Sequence, residues 1–538
     1  MNFTDDANYI FTPDPKFVPL NLIDFFGRAV TVNSLEECAH YVNGGWSIQS
    51  NILTIFEIGF VLILLLTFFG LIYIFKKLDL NKRRFWKIEK FKKRTKLFYF
   101  PAWISFILFQ NFFIFDIVRT KAARINNFID EYIAIASNVN FYKSLDFNAG
   151  DFIGGSYSVL LTSGPVSSVG GVLGWNLSNS FIISRISNFY WIFILQIFFC
   201  LLINKYYGKD SKFFFLFFPL IILLIPWWQG SLYSIGEIAS SLIFINSIFL
   251  FYKNRKLALI LFGISIFFGK ILTILMFIGF YIPILIFEKN IKNISNDFLY
   301  FMFSGFIWGL LVSIFYDSGS LIDYILNQKS LILGHQSSGA ASSQIINLNS
   351  FIEQINSSEV QNWNLYEKIR VAFMPCLFVF LVFMSRKEID KIFGNISYSI
   401  IFSILLEFFW FWFLSPTKWI RYSQHFTVLV LIGLFYFLNF EIFSSKFKIF
   451  LTTFSVLIFI DNEKNLIFIG LIVLFIITIF LNKKNQILYS KIALILILTI
   501  DVTLPFFEKD NISEINEINL ECQADLYSDV CRETYLGN

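Results

Sequence analysis

The sequence predicts an all-α polytopic membrane protein, and three observations carry that prediction. The chain has 538 residues, of which 56% are hydrophobic and only 15% are charged. Apolar runs of roughly 18 residues recur from about residue 51 to about residue 506, and each is long enough to cross a bilayer as a helix. Basic residues gather in short segments between these runs, as they do in cytoplasmic loops. The runs indicate about 13–14 transmembrane helices and long outer loops.

The distribution of charge predicts an orientation. Residues 76–96, KKLDLNKRRFWKIEKFKKRTK, are strongly basic and are placed in the cytoplasm, where they also meet anionic membrane lipids. The leader 1–50 and the tail 507–538 carry more acidic than basic residues, and we place both outside. No nucleic-acid partner is expected, because the basic segment contains no nucleic-acid-binding motif.

The runs and the charges divide the chain into five segments. They are an outside leader at 1–50, an extra transmembrane helix with a basic cytoplasmic loop at 51–97, a transmembrane core at 98–445, C-terminal transmembrane helices at 446–506 and an acidic outside tail at 507–538. Two outer loops, at about 119–186 and 317–367, have a length that is typical of either functional or disordered loops. In the tail, Cys522 and Cys531 are expected to form a disulfide in an oxidising compartment.

An acidic pair, Asp130-Glu131, stands just beyond an early apolar run. Neighbouring positions on a helix point about 100° apart, so the two carboxylates cannot share one role on a regular helix. One can face a reaction centre while the other orients it or is solvated, and a plain interfacial charge pair is the alternative. The spacing of apolar residues over 125–139 predicts a helix that lies at the membrane interface. Arg124 belongs to a small basic cluster beside the pair and is a candidate binding residue.

A second acidic residue, Glu237, follows Gly236 at the start of an apolar run. The helix macrodipole favours a carboxylate there, so capping is one explanation and substrate binding is the other. The apolar run over 257–288 is interrupted by Gly269-Lys270, which predicts two short helices that meet near the outer surface. A lone charge between apolar segments, such as Lys270, is a candidate functional residue.

The segment LSPTKWIRYSQHF at 414–426 predicts an anion site. Ser415-Pro416 is typical of a helix N-cap followed by the first helical residue. One face of the first two turns would then carry Lys418, Arg421, Tyr422 and His425. Cationic groups beside the free N–H groups of a helix N-terminus suit a phosphate, and snorkelling interfacial anchors are the alternative.

These features, in this order and with this sidedness, resemble the GT-C superfamily of integral membrane glycosyltransferases. Protein O-mannosyltransferases, aminoarabinose transferases and related bacterial lipid-linked-sugar transferases belong to that superfamily. The resemblance covers about 98–445. It consists of Asp130-Glu131, TSGPVSSVGG at 162–171, Gly236-Glu237, GISIFFGK at 263–270 and Arg421-Tyr422. No cytoplasmic nucleotide-sugar domain accompanies these motifs, so any donor is expected to be met at the membrane face.

The resemblance implies a GT-C-like core in a bacterial inner membrane, with an active site that faces the periplasm. The implied reaction moves a sugar from a polyprenyl-phosphate donor to a hydroxyl of a lipid, glycan or protein acceptor. Asp130 would be the general base, and Glu131 would orient the base or the acceptor. Arg421 and Lys418 would stabilise the leaving phosphate. The further expected binding residues are Glu237, Lys270, Tyr422, His425 and Arg124. No cofactor is implied, and a divalent metal is left open although a metal-binding DxD motif is missing.

Two other functions compete with this interpretation. A transporter or flippase would be expected to show inverted repeats and helices broken at the midplane, and the sequence has no visible repeat. An O-antigen polymerase or ligase would be expected to gather arginines in its large outer loops, and the loop at 317–367 contains none. Glu407, inside the apolar run before Pro416, is a further candidate functional residue, as Lys270 is.

Overall fold

The computed structural model describes the chain at 20–23, 29–32, 47–48, 118, 122, 129–145, 160, 163–207, 227–287, 291–315, 365–415 and 420–437. The chain divides into two compact units. The first contains Met1–Ile125 and Lys509–Leu520, and the second contains Asn126–Glu508 and Glu521–Asn538. All described site residues belong to the second unit.

Several predictions concern segments outside the described residues, and they stay predictions. They are the extra helix and basic loop at 51–97, most of the outer loop at 317–367, the helices beyond residue 437, and the tail with Cys522 and Cys531. Two candidate binding residues, Arg124 and Lys418, also lie outside the described residues.

In the first unit, the described backbone contains three short strands. They are β1 (Leu20–Ile23), β2 (Ala29–Val32) and β3 (Ser47–Ile48). The strands form an antiparallel sheet in the order β2-β1-β3, with Leu22 of β1 opposite Val30 and Ile48. The leader is thus an exception to the all-α prediction. Its Val, Thr and Ile residues favour extended structure.

The second unit is built from helices, which confirms the helical class for its described residues. The helices are α1 (Ile129–Ser144), α2 (Pro165–Ser178), α3 (Phe181–Tyr207), α4 (Trp227–Leu232), α5 (Glu237–Leu250), α6 (Arg255–Gly263), α7 (Thr273–Phe287), α8 (Ile291–Phe315), α9 (Leu365–Lys368), α10 (Met374–Met384), α11 (Arg386–Phe393), α12 (Ser397–Phe409) and α13 (Gln424–Phe437). Wider π-helical turns follow α6 (Ile264–Gly269), α9 (Ile369–Phe373) and α12 (Trp410–Leu414), and a 3-10 turn (Ile420–Ser423) precedes α13.

Helix α5 lies at the centre of the described second unit. All of its residues are buried, and it packs against α3, α6 and α13. Its hydroxyl groups donate to carbonyl oxygens one turn earlier, from Ser241 Oγ to Glu237 O and from Ser247 Oγ to Ile243 O, each at 2.8 Å. These hydrogen bonds satisfy polar side chains that are out of reach of water.

The chain breaks between α6 and α7, as the Gly269-Lys270 interruption predicts. At the break, the Gly164 N–H donates to Gly269 O at 2.6 Å, and Ser163 faces Lys270 in an isolated antiparallel bridge. A Cβ on Gly164 would lie 2.6 Å from the Phe268 backbone, so a larger residue would push the two segments apart. The loop before α2 therefore holds Lys270 in place.

The helices around α5 have two chemically different ends. Helix α5 begins at Glu237 and α6 runs towards Lys270, whereas the basic turn 253–256 connects α5 to α6 at the opposite end. With a rise of 1.5 Å per residue, the two ends of α6 and its π turn are roughly 20 Å apart. The basic helix α11 lies near the same turn, because the Tyr252 hydroxyl donates to Asn395 O at 3.3 Å.

An ion pair ties three helices together at this basic end. Arg255 Nε, on α6, donates to Asp297 Oδ1 on α8 at 2.7 Å. The Tyr281 hydroxyl on α7 donates to Asp297 Oδ2 at 2.5 Å. The basic turn 253–256 and the basic helix α11 thus lie at the same end of the described helices as the ion pair that joins α6 to α8.

Two described helices are long and apolar enough to cross a membrane, Asn293–Phe315 and Ser397–Leu414. A third span is counted if Ile369–Met384 and Arg386–Phe393, which meet at 76°, cross together. Other apolar helices, such as Thr273–Phe287, are shorter. The predicted total of about 13–14 spans stays a prediction, since many of the runs behind it lie outside the described residues.

Helix α1 is not an interfacial amphipathic helix, so that prediction for 125–139 is wrong. All residues from Glu131 to Val139 are buried, including the polar Ser137 and Asn138. A helix at the membrane interface would leave its polar face to water or headgroups. The apolar periodicity correctly indicates a helix with one buried face, but it carries no information about what covers the other face.

Candidate functional site

Asp130 and Glu131 lie in the first turn of α1 and have different partners. Asp130 forms an ion pair with Arg421, and Glu131 forms one with Arg185. The divergence follows from helix geometry, since neighbouring positions point about 100° apart. The two carboxylates therefore occupy separate environments, as the sequence predicts.

Glu131 is fixed inside the protein by Arg185. Arg185 Nε donates to Glu131 Oε1 at 2.8 Å, and Nη2 donates to Oε2 at 2.7 Å. The Arg185 and Glu131 side chains are 0% and 1% exposed, and the guanidinium stacks over the Tyr233 ring at 5.3 Å from its centroid. Burial raises the pKa of the Glu131 carboxyl, while the Arg185 charge and hydrogen bonds act to lower it. This bidentate pair anchors the start of α1 to α3.

Asp130 is the more accessible of the two acids. Its Oδ2 pairs with Arg421 Nη1, and the Arg421 and Asp130 side chains are 11% and 33% exposed. Arg421 also lies over the ring of its neighbour Tyr422, with Cζ 5.0 Å from the ring centroid. The negative charge of Glu237 acts electrostatically on both Arg421 and Tyr422. One guanidinium is thus subject to the charges of two carboxylates.

Lys270 and Glu237 form the second ion pair of the site. Lys270 Nζ lies 3.2 Å from Glu237 Oε1 and donates to Ile235 O at 3.1 Å. Glu237 begins α5 directly after Gly236, which has a left-handed φ of 93° and whose missing Cβ would lie 2.5 Å from the Ser167 side chain. The Glu237 carboxylate makes no hydrogen bond to a described residue, so Lys270 and the α5 N-terminus supply its compensating charge.

His425 lies in the first turn of α13 and is fully buried. Its Nδ1 is 3.4 Å from Ser241 Oγ of α5, and its Nε2 has no hydrogen-bond partner among the described residues. The positive charge of Lys270 reaches the imidazole. His425 thus links α13 to the central helix α5 through Ser241.

The anion site predicted at 414–426 is only partly described. Residues 416–419, which include Lys418 and the predicted first helical residue, lie outside the described residues. Arg421 and Tyr422 belong to a 3-10 turn, and only His425 belongs to α13. A regular α-helical face through all three is therefore wrong, because a 3-10 turn has about 3 residues per turn.

One acid and two bases of the site are partly buried rather than fully buried. Asp130, Lys270 and Arg421 are 33%, 14% and 11% exposed, whereas Glu237 and His425 are fully buried. A ligand would meet these three partly buried groups first, and the buried Glu237 holds Lys270 from behind. Among the described residues, no group of three His, Cys, Asp or Glu side chains is arranged to hold a metal ion.

Sequence reasoning gives no role to Arg185, Ser240 or Ser241, which all support the site. Ser240 Oγ accepts a hydrogen bond from the Lys270 N–H at 2.8 Å. Arg185 could have been found as a lone charge beside an apolar run, which is the signal that singles out Lys270. The serines carry no such signal, since small polar residues are common in buried helices.

Comparisons with family models, curated proteins and solved structures find no match to this chain.

Proposed function

We propose that this chain is an integral membrane glycosyltransferase that moves a sugar from a polyprenyl-phosphate donor to an acceptor hydroxyl on the outer face of the membrane. One observation carries the proposal. Asp130 and Arg421 form one ion pair, Lys270 and Glu237 form another, and the charge of Glu237 also acts on Arg421, so residues from distant parts of the chain belong to one polar cluster. A carboxylate next to two cations has the groups needed to take a proton from a hydroxyl and to hold a phosphate.

The proposed reaction is a direct displacement. Asp130 accepts the proton of the acceptor hydroxyl while the acceptor oxygen forms a bond to the anomeric carbon. The bond between that carbon and the phosphate oxygen breaks, and its electron pair leaves with polyprenyl phosphate. Arg421 and Lys270 stabilise the charge that develops on the phosphate, with Lys418 as a further expected contact. Glu131 and Arg185 hold the helix turn from which Asp130 projects.

The arrangement of charges supports the proposed sidedness. Glu237 and Lys270 lie at one end of α5 and α6, and the basic turn 253–256 lies at the other. Basic residues concentrate on the cytoplasmic side of bacterial membrane proteins. This arrangement supports our proposal that the site lies at the periplasmic end of the helices in a bacterial inner membrane.

The test is sugar transfer from a polyprenyl-phosphate sugar by the purified chain in proteoliposomes. Asp130→Asn preserves the size of the side chain but removes the proton acceptor, so turnover is expected to fall by roughly 10²–10⁴-fold. Asp297→Asn, the same change in an ion pair at the basic end, should leave turnover near wild type. Wild-type turnover in Asp130→Asn would contradict the assignment of the base.

One observation favours a second function, a transporter or flippase. Glu407 on α12 is fully buried, and neither of its oxygens makes a hydrogen bond to a described residue. Ionisable groups inside membrane-spanning helices often lie on proton or substrate pathways. Substrate uptake or lipid flipping that depends on Glu407, without sugar transfer from any polyprenyl-phosphate donor, would favour this function over the transferase.

A further inference from the structure

The guanidinium expected to hold the phosphate already pairs with the proposed base. Arg421 Nη1 contacts Asp130 Oδ2, and the charge of Glu237 also acts on Arg421. Lys270, the other cation, pairs with Glu237. With both acids ionised, the two acids and two bases of this cluster sum to zero charge. A phosphate that joined the cluster without displacing a carboxylate would place a negative charge beside two others, which is unfavourable.

We infer that Asp130 and the phosphate group of the ligand compete for Arg421, so that phosphate binding releases the Asp130 carboxylate. This inference rests on the proposed function and adds an order of events to it. Before the donor binds, the Asp130 carboxylate is already held in an ion pair with the Arg421 guanidinium. After the donor binds, Arg421 faces the phosphate, and Asp130 is free to accept the proton of the acceptor hydroxyl.

The exposure of the two acids decides which carboxylate leaves its cationic partner when the phosphate binds. The Asp130 side chain is 33% exposed, so its carboxylate can turn towards solvent and recover hydration. Glu237 is 0% exposed and sits at the N-terminus of the fully buried α5, where it keeps Lys270 as its partner. Moving Glu237 would leave a buried charge without compensation, which costs far more than turning Asp130 outward.

The competition predicts that neutralising Asp130 strengthens phosphate binding. From the sequence alone, Asp130→Asn is expected to slow turnover and to leave donor binding almost unchanged, because the phosphate is held by other residues. The ion pair alters the second expectation. Asparagine carries no charge, so it competes weakly for Arg421 and does not repel the phosphate. Affinity for a phosphate ligand should rise on the order of tenfold, since the competing pair is only partly buried.

The experiment measures binding rather than turnover. Wild-type protein, Asp130→Asn, Asp130→Ala and Arg421→Ala are reconstituted in nanodiscs, and binding of undecaprenyl phosphate and of inorganic phosphate is titrated separately. The two probes share the phosphate group, so tighter binding of the lipid identifies a lipid-linked ligand. Asp297→Asn is the matched control, because it frees Arg255 from a similar pair at the basic end. Thermal unfolding of each variant checks that it is folded.

The outcomes separate the inference from the proposed function. Tighter binding in both Asp130 variants, loss of binding in Arg421→Ala and no change in Asp297→Asn would support the competition. Equal or weaker binding in the folded Asp130 variants, with Arg421→Ala still losing the ligand, would overturn the competition and leave the proposed function intact. Binding of neither phosphate probe to any folded protein, wild type included, would overturn both.

Discussion

The buried pair of Arg185 and Glu131 gives the sharpest prediction for stability. Arg185→Met removes a guanidinium that is 0% exposed and that donates two hydrogen bonds to Glu131, at 2.8 and 2.7 Å. The methionine fills part of the space, but the carboxylate is left in the interior without a partner. Loss of one member of a buried pair typically costs about 3–5 kcal/mol. We expect the free energy of unfolding of Arg185→Met to fall by about that amount.

The double variant separates the pair from the packing around it. Glu131→Met with Arg185→Met leaves no buried charge, so much of the lost stability should return. The sum of the two single-variant losses in unfolding free energy should therefore exceed the loss in the double variant by about 2–3 kcal/mol or more. Arg255→Met, in a pair whose arginine is 27% exposed, is the matched control and should lose less. Unfolding in mixed micelles of mild detergent and dodecyl sulfate, followed by tryptophan fluorescence, measures each value.

The same variant should acquire a pH dependence. Burial raises the pKa of the Glu131 carboxyl, and Arg185→Met removes the charge that opposes this rise. A carboxyl with a raised pKa in the folded state favours folding below its unfolded pKa, which is about 4.3, and loses that contribution as the pH rises towards the folded-state pKa. The deficit of Arg185→Met should therefore be smaller near pH 5 than near pH 8. An equal deficit at both pH values, or strictly additive single losses, would refute the reasoning.

Three further predictions concern backbone, orientation and the tail. Gly236→Ala should lower the free energy of unfolding by about 1–3 kcal/mol and should also lower turnover. The reason is that Gly236 has a φ of 93° and that the Ser167 side chain occupies the space for a Cβ. Thermal melting and sugar-transfer assays measure the two effects, and full activity would contradict the prediction. A cysteine placed at the exposed Lys387 should react with a membrane-impermeant reagent only in inverted vesicles. A cysteine placed within 317–364 should react with the same reagent in intact cells, and the reverse pattern would overturn the proposed sidedness. Cys522 and Cys531, outside the described residues, should be disulfide-bonded in protein from the membrane, and mass spectrometry showing two free thiols would disprove this.

Local patterns in the sequence predict the described apolar helices α3, α5, α7 and α8 and the interruption at Gly269-Lys270. Runs of apolar residues predict helices because helical backbone hydrogen bonds join residues only four positions apart, so the signal is contained in a short stretch of chain. The same patterns indicated that Asp130 and Glu131 have separate surroundings, since the angle between neighbouring helical positions is fixed. They also singled out Glu237, Lys270 and Arg421 as unusual charges, and these three belong to one cluster.

The partner of each charge was decided only by the tertiary structure. Nothing in the sequence pairs Asp130 with Arg421 or Glu131 with Arg185, because these contacts join distant segments through the packing of α1, α3 and the turn before α13. The burial of every residue from Glu131 to Val139 is not visible in the sequence for the same reason, since periodicity describes one helix and burial depends on its neighbours. A helix fixes the direction of a side chain relative to its own axis, and only the packing of several axes fixes which charges meet.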